Sequence, residues 1–357
     1  MTVSSADAGG DEDRRADDPG ERVAFEDKVR FLSSPAAYDE SGADVEVVET
    51  HMSFVFLTAR RAFKIKKPVR YPFLDHSTLR AREADCRAEL TLNRRLAPNV
   101  YRGLAPLRLA PSGRLALDGE GETVEWVIAM RRLPAGRMLD RLLIAGALGA
   151  EDVERLALAL ARFYERADRP TIAPAAYVDR LVAEQAFNRR ILTARRFAID
   201  HGRAPAILDR MDAALRRDAE RLRARAAQGQ LVDGHGDLRP EHVCLEDEVA
   251  IFDCLEFSAE LRMVDPVDEL AYLGVECALL GAAWFGPALF ERVMQAFRAE
   301  PPYPLFHLHA SRRAVLRARL ALAHLLDPSP RQPAKWEPRA ARYLDLAEQA
   351  LDRLEGR

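Results

Sequence analysis

The hydrophobic periodicity of this chain changes once, near residues 130–135, and that change restricts the fold more than any other feature of the sequence. Before it, apolar and polar residues alternate over 45–49, 53–58, 62–66, 103–109, 114–117 and 124–130, the period of half-buried strands. Two helical patterns interrupt this region: a short one over 23–32, and a longer one that Ser77 can cap and that runs to about Leu96. After the change, helical spacing dominates, over 138–143, 152–167, 174–198, 206–227, 266–280, 287–299, 304–326 and 338–355. Strands and helices segregated in this way predict an α+β protein. Its expected parts are a polar, unpatterned leader over 1–22, a β-rich lobe over 23–132 and a helical lobe over 133–357, with a hinge near Met130–Ala135.

Composition removes several classes of function. A formal net charge of −3 gives no reason to expect nucleic acid or an anionic membrane as partner. No apolar run of about 18 residues and no secretory signal is present, which points to the cytoplasm. Cys86, Cys244, Cys254 and Cys277 show no CxxC spacing and read as free thiols. No lysine follows a glycine, so the Gly-Lys-Ser/Thr phosphate loop is absent. His307 and His309 flank a leucine, a spacing foreign to a helical metal site, and are expected at the surface or as caps.

Lysine usage is sharper evidence. Five of the 53 basic residues are lysine, and three of those, Lys64, Lys66 and Lys67, fall together. In the strand over 62–66, alternation places Ala62, Lys64 and Lys66 on one face and Phe63 and Ile65 on the other. A lysine-blunted sheet edge is the plain account of such a face. Arginine would serve an edge equally well, so the choice of lysine points to a specific partner. Glu83 and Glu89 both lie on the following helix, and a solvated charge is the plain account of either, but Glu89 shares a stripe with Leu92 and Leu96 and is placed near packed surface.

The chemistry concentrates in Val232-Asp-Gly-His-Gly-Asp237-Leu-Arg-Pro-Glu-His242 and the Phe252-Asp-Cys-Leu-Glu-Phe257 run that follows. Asp237 lies in a glycine-flanked loop, Arg239 stands two residues on, and Asp253 follows a short hairpin. Phosphoryl transfer needs such parts: one carboxylate to orient a hydroxyl, another to hold a metal ion against phosphates.

His235-Gly-Asp237 resembles the catalytic loop of the aminoglycoside phosphotransferase family, and Asp237-Leu-Arg-Pro-Glu-His242 is similar to the D-L-K-P-E-N run of protein kinases. Ala62-Phe-Lys64 resembles the kinase A-I-K element. Together with residues 48–57, 63–69, 89–98 and 252–257, these match an uncharacterised branch of aminoglycoside-phosphotransferase-like proteins, some of which carry an added P-loop kinase domain that this chain is expected to lack. The resemblance implies a bilobal protein-kinase-like fold with a small β-rich lobe and a larger helical one. It implies Asp237 as catalytic carboxylate, His235 as a brace for its loop and Arg239 as a neutraliser of the transferred group. Lys64, with Lys66 as rival, would contact ATP phosphates and pair with Glu89. Ser53 and Met130 complete the expected nucleotide contacts. Asp253 would hold Mg²⁺, and an anchor for the loop would come from Glu269 or Asp268.

Two departures stand out. His242 replaces the asparagine expected as second metal ligand, and a histidine nitrogen suits Mn²⁺, Fe²⁺ or Zn²⁺ better than Mg²⁺. No glycine-rich loop separates the first two strands, where Thr50-His-Met-Ser53 stands. The expected activity is transfer of the γ-phosphoryl group of ATP to a small hydroxylated acceptor, with Glu256 or Glu276 as candidates for meeting a cationic one. The alternative is a kinase-like binding module that has lost catalysis.

Overall fold

The computed structural model describes residues 18–40, 44–71, 74–327 and 329–357. Of the expected leader, residues 1–17 therefore lie outside the described residues. Residues 18–22 are built into the fold: Pro19–Glu21 form a 3₁₀ turn, and the Asp18 carboxylate accepts hydrogen bonds from the Gly20 and Leu79 amides. The chain divides into two compact units, Met1–Pro134 with Ala250–Ser258, and Ala135–Val249 with Ala259–Arg357.

The first unit is an antiparallel sheet with two helices. Its elements are α1 (Phe25–Leu32), β1 (Glu46–Glu49), β2 (Ser53–Leu57), β3 (Arg61–Lys66), α2 (Leu79–Asn93), β4 (Tyr101–Leu109), β5 (Leu115–Leu117) and β6 (Glu122–Arg131). The six strands run in the order β1-β2-β3-β6-β4-β5. Phe63 and Ile65 point into an apolar core with Phe56, Leu107, Val124 and Val127, which leaves Lys64 and Lys66 on the opposite face, as alternation requires. Lys64 sits opposite Val55 on one side and Ile128 on the other, so β3 is an interior strand. The edge account of its lysines is thereby removed. Helix α2 is capped by Thr78, whose hydroxyl accepts from the Ala81 amide, while Ser77 is occupied with Asp75.

The second unit is mostly helical: α3 (Leu139–Ile144), α4 (Ala150–Arg166), α5 (Pro174–Leu192), α6 (Arg203–Arg217), α7 (Ala219–Ala227), α8 (Pro266–Leu279), α9 (Phe285–Ala296), α10 (Tyr303–Ala323) and α11 (Trp336–Glu355). The pattern over 206–227 is two helices, separated at a buried Asp218 whose carboxylate is taken by Arg217 and Arg221. Buried between α10 and its neighbours, α8 carries only apolar or paired side chains, and thirteen of its fourteen residues are buried. His309, expected at the surface, is fully buried beside Asp268, and burial pushes its imidazole down to about 4.

Candidate functional site

Two clusters of chemistry-bearing residues form, one in each unit. In the first, the Lys64 ammonium donates to Glu89 Oε1 at 2.9 Å and to Asp253 Oδ1 at 2.8 Å. Lys66 donates to the other oxygen of Glu89 at 2.8 Å, and pairs with Asp85 at 2.9 Å and with Glu256. Glu89 is fully buried and Lys66 is 1% exposed, so both lysines share one carboxylate inside the protein. Burial alone would lower both ammoniums, but the carboxylates outweigh it and hold them well above the ordinary lysine range. Four carboxylates thus face two ammoniums. Burial, with Glu89 and Asp85 nearby, pushes Glu256 up to about 7 despite the two lysines. Glu256 is therefore a partner of Lys66 and is not disposed to meet a cationic acceptor, contrary to the expectation from sequence.

Asp253 is the exposed member of this cluster, with 44% of its side chain accessible. Its backbone is left-handed, with φ of 62°, a conformation that aspartate and asparagine tolerate better than most residues. The segment is held on both sides. The Asp253 amide donates to the Tyr101 hydroxyl at 3.4 Å and the Cys254 amide to Asn93 Oδ1 at 2.9 Å. Of the other expected nucleotide contacts, Ser53 is buried at the start of β2 and its amide is taken by the Thr50 hydroxyl at 2.9 Å. Met130 lies buried on β6, opposite Ala62 on one side and Tyr101 on the other. Both belong to the same unit as Lys64 and Asp253.

In the second unit, the loop over 234–242 is shaped by one buried carboxylate. Glu269, on α8, accepts from the His235 amide at 3.0 Å, the Gly236 amide at 2.7 Å and the Tyr164 hydroxyl at 3.0 Å. Of the two candidate anchors, Glu269 takes this part, while Asp268 is engaged by Arg312 and Arg313. Gly236 has φ of 83°, which glycine alone adopts freely. Gly234 is required for room: a Cβ there would meet Val264 Cγ2 at 2.5 Å and both Glu269 oxygens at 3.0 Å. Gly234→Ala is expected to cost about 1–3 kcal/mol of stability by overpacking, read by urea unfolding. A change within the error of that measurement would show that the loop yields easily.

The loop in turn presents Asp237. Its amide donates to Nδ1 of the buried His235 at 3.3 Å, and its Oδ1 accepts from the Tyr272 hydroxyl at 2.9 Å. Arg239 Nε lies 3.1 Å from Asp237 Oδ2, and its Nη1 lies 3.0 Å from Glu241. Burial would raise the Asp237 carboxyl, but Arg239, His242, Arg317 and the Tyr272 hydrogen bond hold it below the usual carboxylate range. It is ionised at neutral pH.

His242 does not fit the metal role expected of it. Its Nδ1 lies 2.9 Å from the Asp237 carbonyl oxygen, which only accepts, so Nδ1 carries the proton. Its Nε2 lies 3.1 Å from Nη2 of Arg239, which only donates, so Nε2 is the acceptor. Both ring nitrogens are spent on the loop itself, and neither has a lone pair left for a metal.

The comparisons agree with this geometry at the level of fold. No family model matches the chain. An uncharacterized protein of Mycobacterium tuberculosis is 32% identical over 311 residues, 86% of this chain and 60% of that protein, and one of Mycobacterium bovis matches to the same extent. The chain thus spans about 60% of the length of the curated relatives it matches. Among solved structures, a choline/ethanolamine kinase family protein from Mesorhizobium loti superposes with a TM-score of 0.52 at 17% identity, covering 93% of this chain and 99% of that one. Choline kinase from Cryptosporidium parvum gives 0.51 at 12% identity, covering 91% and 95%. The chain has a protein-kinase-like fold.

Sequence reasoning missed two members of these clusters and assigned a third to the wrong task. Tyr272 is invisible because it lies in an apolar run whose buried faces all read alike. Arg317 stands among many arginines on α10. Glu276 was considered for a cationic acceptor, but it accepts from Tyr343 at 2.8 Å and from Arg317 at 2.7 Å and is already satisfied. No helix among the described residues is long and apolar enough to cross a membrane.

Proposed function

We propose that this chain is an ATP-dependent phosphotransferase acting on a hydroxyl of a small molecule. The observation that carries the reading is the Lys64 ammonium shared between buried Glu89 and exposed Asp253, in a cluster with more carboxylates than ammoniums. The surplus negative charge suits a divalent cation. Asp253 offers a hard oxygen donor, and Mg²⁺ is commonly held by one or two carboxylates together with phosphate oxygens. A bound Mg·ATP would supply the phosphoryl group and neutralise its charge.

The protein's own residues do the rest. Lys64, steadied by Glu89, turns its ammonium to phosphate oxygens, and Asp253 holds the cation. Lys66 is committed to Glu89, Glu256 and Asp85, which leaves Lys64 as the better phosphate partner. Asp237, ionised and oriented by Tyr272, accepts the proton of the acceptor hydroxyl. Arg239 brings positive charge beside it.

The test is calorimetric titration of ATP without divalent metal, with Mg²⁺ and with Mn²⁺, on the wild type and on Asp253→Asn. Metal-dependent binding is expected in the wild type and its loss in the variant. Asparagine tolerates the left-handed backbone, so the variant removes charge with little change in conformation. Equal binding by both proteins would sink the assignment of Asp253.

One observation favours a second reading, a kinase-like binding module without transfer. The position where the resemblance puts a second metal ligand holds His242, whose ring nitrogens are both engaged. Acceptor-dependent ADP release that vanishes in Asp237→Asn would exclude that reading.

A further inference from the structure

Within the second unit, Arg317 reaches the surroundings of Asp237 by way of α8: its Nε pairs with Glu276, one helical turn from Tyr272, whose hydroxyl donates to Asp237 at 2.9 Å. Arg317 acts electrostatically on the carboxyl of Asp237, on the hydroxyl of Tyr272 and on Arg239. Its Nε donates to Glu276 at 2.7 Å and to the Tyr343 hydroxyl at 3.3 Å, while neither terminal amino group of this guanidinium makes a hydrogen bond to the described residues. Arg339 lies across the same tyrosine, with its guanidinium carbon 5.7 Å from the ring centroid, against 5.6 Å for Arg317. Its Nη2 is 3.9 Å from Glu276.

Two guanidiniums therefore share one carboxylate. Glu276 is 3% exposed and saturated by Arg317 and Tyr343, so it offers nothing to a cation. Arg317 retains 15% side-chain exposure. A guanidinium fixed at Nε with both terminal groups available is arranged in advance for the two parallel hydrogen bonds that an oxyanion accepts.

We propose that the acceptor carries an oxyanion group, carboxylate or phosphate, in addition to its reacting hydroxyl, and that Arg317 is the residue that selects it. This deepens the phosphotransferase reading and rests on it. Cationic amino alcohols are disfavoured at the same place, because the terminal groups of Arg317 only donate hydrogen bonds, which an ammonium cannot accept.

The test compares glycerol, glycerate, glycerol 3-phosphate, ethanolamine and choline as acceptors, by ADP release from Mg·ATP and by calorimetry. The variants are Arg317→Lys, which keeps charge but loses the fork, and the double variant Arg317→Met with Glu276→Gln, which leaves no buried carboxylate unpaired. Thermal unfolding confirms that each is folded. Glycerate or glycerol 3-phosphate is expected to be the preferred acceptor. Both variants should then raise KM for it about tenfold or more while shifting KM for the neutral and cationic probes far less, and any fall in kcat shared by all probes reports the loss of Arg317 beside Asp237. The phosphate arm against the carboxylate arm identifies the oxyanion. Turnover of ethanolamine or choline in preference to the anionic probes would overturn the inference and leave the phosphotransferase standing. So would metal-dependent ATP binding without release for any probe. Absence of ATP binding would overturn both.

Discussion

Asp237→Asn is expected to lower ATP-dependent phosphorylation about 10³-fold while leaving nucleotide affinity unchanged. Asparagine fills the same volume and still accepts the Tyr272 hydrogen bond made at 2.9 Å. It cannot take a proton. Arg239 and Arg317 together hold the native carboxyl ionised against the cost of burial, so the proposed base is charged throughout the neutral range. The sign follows directly: a carboxyl held below its ordinary value loses its charge, and activity with it, only as pH falls through that depressed value. ADP release measured alongside calorimetric ATP binding separates chemistry from binding. A variant that turns over as fast as the wild type would remove Asp237 from the reaction.

The largest stability effect is expected at Glu89. Glu89→Ala should destabilise the protein by about 3–5 kcal/mol, because it removes at once the fully buried carboxylate that two ammoniums share. Lys66 is 1% exposed and Lys64 11%, so water cannot replace what is lost. Glu89→Gln, which keeps both oxygen and volume but not charge, should fall between the two. Urea unfolding of the full chain measures the loss. A shift below about 1 kcal/mol would mean that Asp85, Glu256 and Asp253 suffice for the lysines on their own.

Much of this architecture was legible in the residues. Period-two alternation over 62–66 assigned Lys64 and Lys66 to one face correctly, because a strand's side chains have only two directions to take. Glu89 was separable from Glu83 because it lies on the packed stripe of α2; Glu83 instead pairs with Arg87 at the surface. The glycines around His235 marked a constrained loop, and two of them meet definite limits of space or backbone conformation.

What was not legible depends on contacts distant in sequence. Composition places the division of the chain at its change of periodicity, yet Ala250–Ser258 packs with the first unit, and that return brings Asp253 and Glu256 to Lys64 and Lys66. Nothing local reports a partner 190 residues away. His242 misled for a related reason. Its residue type suggests metal chemistry, but the tautomer and the fate of each ring nitrogen are fixed by the Asp237 carbonyl and Arg239, which only the folded loop brings together.

Helix α8 carries Glu269, Tyr272 and Glu276, at intervals that keep them on one side of the cylinder. The first shapes the loop, the second touches Asp237, and the third orients Arg317. One rod therefore behaves as a jig on which three separate distances are set together. Turning it by a single residue, about 100°, would misplace all three, so under the proposed function substitutions that shift this helix cannot adjust acceptor choice without also detuning Asp237. On the proposed reading, variation in acceptor preference is left to the facing helices α10 and α11, which hold Arg317, Arg339 and Tyr343 and can change one side chain at a time.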